Sequence, residues 1–366
     1  MPTTEERITD IEEEIKNTSY NKASQHHIGK LKAKLAELRE DLIKKSSGGK
    51  KGPRYAVKRE GQASVALIGF PSVGKSTLLN RLTNAKSPIA AYDFTTLKVF
   101  PGMMEYRGMN IQILDIPGII SGASRGKGRG REVLSIARGS NLIMILLDVF
   151  QPQQLEVIKK ELFDAGIRLN GRKPRVSIRK TSRGGVILTS TVELKKIDVE
   201  TVRGILNLKG IHNAEVTLHE DIDDDQFIDV LMANRSYVSA VICVNKIDTA
   251  DEDYVNYLKE VIKEPFIPIS ADKNVGLDEL REDIFKKLDV IRVYLKPQGG
   301  KPDYEEPLIV ARGSSVADIC KSLHSAFQKK FRYAQIWGKS AKHKGQRKGL
   351  DHVLADKDVL SIIKEN

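Results

Sequence analysis

The run Gly69-Phe70-Pro71-Ser72-Val73-Gly74-Lys75-Ser76-Thr77 sets Gly69, Gly74, Lys75 and Ser76 in the pattern G-x-x-x-x-G-K-S/T. These residue types at this spacing can hold a polyphosphate. The two glycines let the backbone through Pro71, Ser72 and Val73 wrap a phosphate, with N–H groups and a helix N-terminus facing its charge. Lys75 would reach the β- and γ-phosphates. The Ser76 hydroxyl would ligate Mg²⁺, and Thr77 would open the helix that follows.

Two further clusters extend this chemistry. Asp115-Ile116-Pro117-Gly118 ends an apolar stretch, Ile111 to Ile116, about 40 residues past the loop. A carboxylate there can hold Mg²⁺ through water, which is the role expected of Asp115. The Gly118 N–H can bond a γ-phosphate and so sense its presence. Asn245-Lys246-Ile247-Asp248 follows a third apolar run, Val238 to Val244. A carboxylate accepts two hydrogen bonds from the N1–H and exocyclic amine of guanine, an edge adenine lacks, so Asp248 would select guanine. Asn245 would bond the base and the loop, and Lys246 would stack along the ring. Ser270 and Ala271, after the apolar Phe266 to Ile269, would add backbone contacts to the base.

Each cluster needs a strand to position it. Val65 to Ile68 reads as a buried strand before the glycine loop, and Thr77 to Leu82 as a helix start after it. Alternating strands and helices of this kind predict an α/β fold: a mostly parallel sheet with helices on both faces. The chain has 366 residues, 40% of them hydrophobic, and a net charge of +12. That length allows about two to four domains, and the charge suits a polyanionic partner. Two distant cysteines, Cys243 and Cys320, make neither a metal site nor a disulfide framework, which fits a reducing compartment. The N-terminus lacks the apolar stretch of a signal peptide, and no apolar run approaches a membrane span. A cytoplasmic protein is expected, with no membrane partner.

Residues 1–50 are charged and helical in pattern. Thr3 with Glu6 can form a capping box; Ile8, Ile11 and Ile15 mark one stripe and Leu31, Leu35, Leu38 and Leu42 another. A helical hairpin follows, serving either as an arm for RNA or a partner or as a pair docked on the main domain. Ser46 to Pro53 reads as a flexible basic linker. Residues 51–170 form the first part of the nucleotide domain. Within them Ser121 to Glu132 carries four glycines and four Arg or Lys; it reads either as a switch that orders on binding or as a solvated loop.

An insertion, 171–236, interrupts that domain with a β-β-α-β-α order, a small α+β subdomain. From Arg168 to Val192 it has seven Arg or Lys and no acid. Its acidic cluster, Glu220, Asp221, Asp223, Asp224 and Asp225, is read as a helix start rather than a Ca²⁺ loop. The nucleotide domain resumes over 237–294, and a boundary is read at Gly299 to Pro307. Residues 295–366 suggest a small β-grasp domain. Between Lys329 and Lys348 lie eight Arg or Lys, no acid, and Phe331, Tyr333 and Trp337. Basic charge with aromatic platforms suits RNA, although strand alternation would send Tyr333 or Trp337 into the core.

With these residues assembled, the chain resembles the developmentally regulated GTP-binding protein (DRG) family within the Obg-related GTPases. GFPSVGKSTLLN, FTTLKVFPG from Phe94 to Gly102, and DIPGIISGASRGKGRGRE carry the likeness, which spans essentially the whole chain. The insertion resembles the second domain of a small-subunit ribosomal protein, the C-terminal unit a TGS domain, and the hairpin the family's helix-turn-helix region. The resemblance implies a GTPase that binds GTP and GDP with Mg²⁺, acts with the ribosome or ribosomal RNA, and, in eukaryotic members, works with a dedicated protein partner. It also places a Mg²⁺- and γ-phosphate-binding threonine at Thr96 rather than Thr95.

Many GTPases orient the attacking water with a glutamine directly after D-x-x-G; here that residue is Ile119, which has no donor or acceptor. Slow intrinsic hydrolysis is expected, with the missing function supplied by K⁺, by Arg125 or Lys127, or by a partner. Some K⁺-using relatives hold the ion with an asparagine where this chain has Ser72. A monomeric translation GTPase is the leading reading; a ribosome-assembly GTPase and an RNA-binding scaffold gated by nucleotide are the alternatives.

Overall fold

The computed structural model describes residues 3–19, 21, 24–45, 61–83, 92–94, 97–116, 130–305, 307–323 and 331–364. In chain order the elements begin with α1 (Thr4–Asn17), α2 (Gln25–Lys45), β1 (Ala63–Ile68), α3 (Lys75–Leu82), β2 (Tyr92–Phe94), β3 (Leu97–Tyr106) and β4 (Met109–Asp115). Next come α4 (Gly130–Gly139), β5 (Leu142–Asp148), α5 (Gln154–Asp164), β6 (Ile167–Leu169), β7 (Val176–Lys180) and β8 (Val186–Ser190). They are followed by α6 (Val199–Leu208), β9 (Ala214–Leu218), α7 (Asp224–Met232), β10 (Ser236–Asn245), α8 (Glu252–Val261), β11 (Ile267–Pro268) and α9 (Leu277–Lys287). The chain closes with β12 (Val290–Leu295), β13 (Leu308–Ala311), α10 (Val316–Leu323), β14 (Phe331–Trp337), β15 (Gln346–Lys348) and β16 (Asp358–Lys364). Among the described residues no helix is long and apolar enough to cross a membrane.

The described residues fall into two compact units. One is drawn from Val57–Gly118, Ser140–Pro152 and Ser239–Asn366. Its main sheet has the order β11-β10-β5-β1-β4-β3-β2. The pairs β1–β4, β1–β5, β5–β10 and β10–β11 are parallel, and β3 joins β4 antiparallel. All six residues of β1 are buried, as a strand covered on both faces requires. Leu78, Leu79 and Leu82 of α3 and Leu277, Leu280 and Ile284 of α9 share one core with Val65, Ile113 and Met144. The parallel strands end together at Ile68, Asp115, Asp148 and Asn245, the edge where ligands bind in such sheets.

The same unit holds a second sheet, ordered β13-β12-β16-β14-β15, with α10 packed on one face. Its first strand, β12, corrects the boundary expected at residue 294. Val290 pairs with Ala311 and Val293 with Asp358, so this strand belongs to the C-terminal sheet, and Gly299 to Pro307 connects strands within that unit. In β14 the core positions are Ala334 and Ile336, while Tyr333 and Trp337 lie half-buried on the opposite face. That face stacks cations on rings: Lys296 Nζ sits 4.4 Å from the centroid of Trp337 and the Arg347 guanidinium 4.6 Å from that of Tyr333.

The other unit is drawn from Met1–Ala56, Ile119–Gly139 and Gln153–Val238. Thr3 and Glu6 close the expected capping box, and Ile8, Ile11, Leu31, Leu35 and Leu38 seal the hairpin. The insertion forms the sheet β7-β9-β8 with α6 and α7 against it around Phe227. The hairpin docks, and it docks on this inserted subdomain: Ala33 enters the core of Val202, Ile205 and Phe227, and Lys32 pairs with Asp225 at 2.7 Å and Asp224 at 3.1 Å. The acidic run is a helix start, with the Asp223 carboxylate accepting from the Gln226 N–H and the Gln226 side chain bonding back.

Candidate nucleotide site

The glycine loop joins β1 to α3. Gly74 sits at φ 94° and Ser72 at φ 65°, so two positions of the loop are left-handed and turn successive N–H groups inward. Gly74 is fixed by its surroundings as well, since a Cβ there would lie 2.4 Å from Nδ2 of Asn245. That amide is the clamp of the site. Asn245 is buried; its Nδ2 donates to the Val73 carbonyl at 2.9 Å, and its Oδ1 accepts from the Ala271 N–H at 2.9 Å. One side chain therefore ties the phosphate loop to the Ser270–Ala271 loop. The latter is shaped by the Ser270–Val275 bridge and by the Lys273 N–H donating to Ser270 Oγ at 3.1 Å.

Lys75 folds back over the loop, donating to the carbonyls of Gly69 at 3.0 Å and Phe70 at 2.9 Å. Ser76 and Thr77 stand in the first turn of α3. Ser76 Oγ donates to Asp115 Oδ2 at 2.8 Å. Burial pulls the Lys75 ammonium below its ordinary pKa, against the pull of Asp115. Burial likewise raises the Asp115 carboxyl, against the Ser76 hydrogen bond and the Lys75 charge. Two facing oxygen donors, one hydroxyl and one carboxylate, at the end of a phosphate loop fit Mg²⁺.

A raised carboxyl in the folded state means that the fold binds more protons than the unfolded chain there. Stability contributed at Asp115 therefore falls as pH rises from the ordinary carboxyl range through the raised value. Asp115→Asn removes that charge and keeps an acceptor for Ser76. The nucleotide-free variant should melt at or above the wild-type temperature at pH 7, while Mg²⁺ no longer tightens nucleotide binding. Melting scans with and without Mg²⁺ and GDP check both halves.

On the base side, Lys246 is left-handed at φ 68°, and its Nζ pairs with Asp148 Oδ2 at 2.7 Å. Asp148 pairs in register with Asn245 across β5 and β10. Sequence reasoning missed it, although an aspartate ending an apolar strand is the signal that singled out Asp115. Asp248 is exposed, and its carboxylate has no hydrogen bond or ion pair among the described residues. Arg81 was also missed: its guanidinium donates to the Asp272 carbonyl at 3.2 Å, linking α3 to the base loop. The structure thus brings together Gly69, Pro71, Ser72, Val73, Gly74, Lys75, Ser76, Thr77, Asp115, Asn245, Lys246, Asp248, Ser270 and Ala271 within one unit. Thr96, Gly118, Ile119, Arg125 and Lys127 lie outside the described residues.

Comparison with known proteins agrees with this geometry. Residues 64–180 match the family described as 50S ribosome-binding GTPase, residues 183–290 the C-terminal region of that domain, and residues 291–364 the TGS domain. An uncharacterised GTP-binding protein of Methanocaldococcus jannaschii is 55% identical over 98% of this chain and 92% of its own. Developmentally-regulated G-protein 3 of Arabidopsis thaliana is 45% identical over the whole of both chains. Developmentally-regulated GTP-binding protein 1 of Xenopus laevis is 44% identical over 98% of each. Among solved structures, Era of Aquifex aeolicus bound to GDP and AlF4⁻ matches at 21% identity and a TM-score of 0.33, over 62% of this chain and 56% of that one. Full-length identity at this level, over a loop, clamp and base site that meet in one unit, assigns the chain to the developmentally regulated GTP-binding proteins, a family of Obg-type GTPases.

Proposed function

We propose that this protein hydrolyses GTP to GDP and phosphate with Mg²⁺, and that the two nucleotide states switch its association with the ribosome. The observation that carries the chemistry is the meeting of Ser76 and Asp115 at 2.8 Å beside Lys75. In that reading Lys75 leaves the Gly69 and Phe70 carbonyls for the β- and γ-phosphates, and the loop N–H groups from Gly69 to Thr77 line the phosphate chain. Ser76 and Asp115 would hold Mg²⁺, and the family resemblance assigns Thr96 to the same ion and Gly118 to the γ-phosphate. Bound Mg²⁺ would neutralise charge building between the β- and γ-phosphates. Asp248 reads guanine, Asn245 holds the two loops around it, Lys246 covers the ring from its seat on Asp148, and Ser270 and Ala271 complete the base pocket.

Ile119 supplies no group to orient water, so turnover is slow unless K⁺, a basic residue after Gly118 such as Arg125 or Lys127, or a partner assists. Single-turnover hydrolysis measured in K⁺ and in Na⁺ tests the ion, and equal rates eliminate it. An Ile119→Gln variant should hydrolyse GTP severalfold faster; an unchanged rate contradicts the missing-glutamine account.

The ribosomal half rests on the net charge of +12, the basic strand–loop–strand of the insertion, the cation-stacked face of the C-terminal sheet, and the match to the 50S ribosome-binding GTPase family. A cytoplasmic monomer, with or without a dedicated protein partner, is part of the same reading. A ribosome-assembly GTPase shares all of this chemistry, and sedimentation with immature subunits rather than translating ribosomes would favour it.

A further inference from the structure

The C-terminal sheet and the loop between β14 and β15 carry charge that no carboxylate neutralises. Lys296, Arg332, Lys339, Lys342, Lys344 and Arg347 make no ion pair among the described residues. The arginines of the insertion differ, since Arg172 lies 2.7 Å from Glu220 and Arg179 3.8 Å from Glu215. Three aspartates follow these cations in the chain. Asp356 is held by Arg292 through two bonds, at 2.7 and 3.1 Å, and Asp358 is buried and accepts from the Ala355 N–H at 2.8 Å. Asp351 is exposed and pairs with none of the six.

Rings hold three of these cations instead. Lys296 Nζ stands 4.4 Å from the centroid of Trp337, and the Arg347 and Arg332 guanidiniums 4.6 and 5.9 Å from that of Tyr333. A ring attracts a cation through its quadrupole and leaves the net charge whole. A side chain held in this way also has less rotamer freedom to lose when an anion arrives. The same rings offer little bare surface to a base. Both are half-buried, and Gly345 packs on the indole as well, since a Cβ there would lie 3.2 Å from Cε2 and Nε1 of Trp337. The loop that exposes Lys339, Lys342 and Lys344 is fixed in turn. The Gly345 N–H donates to the Ile336 carbonyl at 2.9 Å, and the Lys342 N–H to Gln346 Oε1 at 2.9 Å.

We propose that this face grips helical RNA by its phosphate backbone, with Tyr333 and Trp337 serving as holders of cations and not as platforms for bases. The proposal rests on the ribosome association put forward above and names the RNA feature that this face meets. Proteins that grip single strands stack successive bases on open rings. Fixed cations beside rings already occupied suit a partner that keeps its bases inside and presents its phosphates, which are read by shape and charge.

The test is fluorescence-anisotropy titration of the full-length protein, saturated with Mg²⁺ and GDP so that the phosphate loop is filled. The probes are a mixed-sequence RNA duplex of about 20 base pairs and a uridine strand of about 20 nucleotides. The duplex should bind at least about fivefold tighter than the strand. Lys296→Gln combined with Arg347→Gln should weaken the duplex about tenfold and lower the salt slope of log affinity by about 2. Lys259→Gln combined with Lys263→Gln removes the same charge from exposed lysines at the end of α8, and should change affinity less than about twofold. Equal losses from the two pairs reduce the binding to bulk charge and overturn the site. A uridine strand that binds as tightly as the duplex overturns the backbone grip. Naked RNA involves neither the ribosome nor the nucleotide switch, so failure here leaves nucleotide-dependent pelleting with ribosomes standing, and failure of that pelleting leaves this grip standing.

Discussion

Gly74→Ala should abolish tight guanine-nucleotide binding. The substitution meets two obstacles at once. At φ 94° a residue with a Cβ is strained, on the order of 1–3 kcal/mol. That Cβ would also sit 2.4 Å from Asn245 Nδ2, so the amide must leave the Val73 carbonyl or the loop must open. Losing a buried hydrogen bond of this kind costs about 1–3 kcal/mol more. Together the two, about 2–6 kcal/mol, give a weakening of roughly 30-fold to 10⁴-fold in GTP and GDP affinity. The effect travels through Asn245 to Ala271, so base and phosphate contacts fail together. Fluorescent-nucleotide titration checks this, and an affinity within tenfold of wild type would mean that Asn245 is not the clamp.

The second large effect is expected at Asp248. An exposed carboxylate with no partner among the described residues is free to accept both donors of the guanine edge. Asp248→Asn replaces one acceptor by an NH₂ group that faces the guanine amine. The lost charge-assisted bond and the opposed donors should cost about 3–4 kcal/mol, a drop of roughly 10²–10³-fold in GTP affinity. Xanthine carries a carbonyl where guanine has its amine, so the asparagine should bind xanthosine triphosphate at least about tenfold better than wild type does. Competition between the two triphosphates on wild type and variant decides. Unchanged discrimination would move base selection away from Asp248.

Much of this site was legible because its chemistry is local. Four fixed positions from Gly69 to Ser76 specify a loop, and an apolar run before each of Gly69, Asp115 and Asn245 specifies the strand that carries it. The long-range contacts were not legible. Asp148 and Lys246 meet because β5 and β10 are neighbours in register, which no spacing reveals. The apolar stripe of α2 announced a buried face and not its partner; Ala33 and Lys32 show that the partner is the inserted subdomain. Strand β12 escaped because it leaves α9 with only Leu288 and the left-handed Asp289 between, and no glycine or proline marks the break. The alternation of β14 was visible, yet its phase was not: small Ala334 faces the core, and the larger Tyr333 and Trp337 face outward under cations.

The most direct test of a nucleotide-switched ribosome factor is co-sedimentation of the protein with purified ribosomes, with a nonhydrolysable GTP analogue and with GDP, at two salt concentrations. The account predicts pelleting that the analogue favours over GDP and that persists at moderate salt. Pelleting that ignores the nucleotide and vanishes as salt rises would reduce the association to bulk basic charge and contradict the switch.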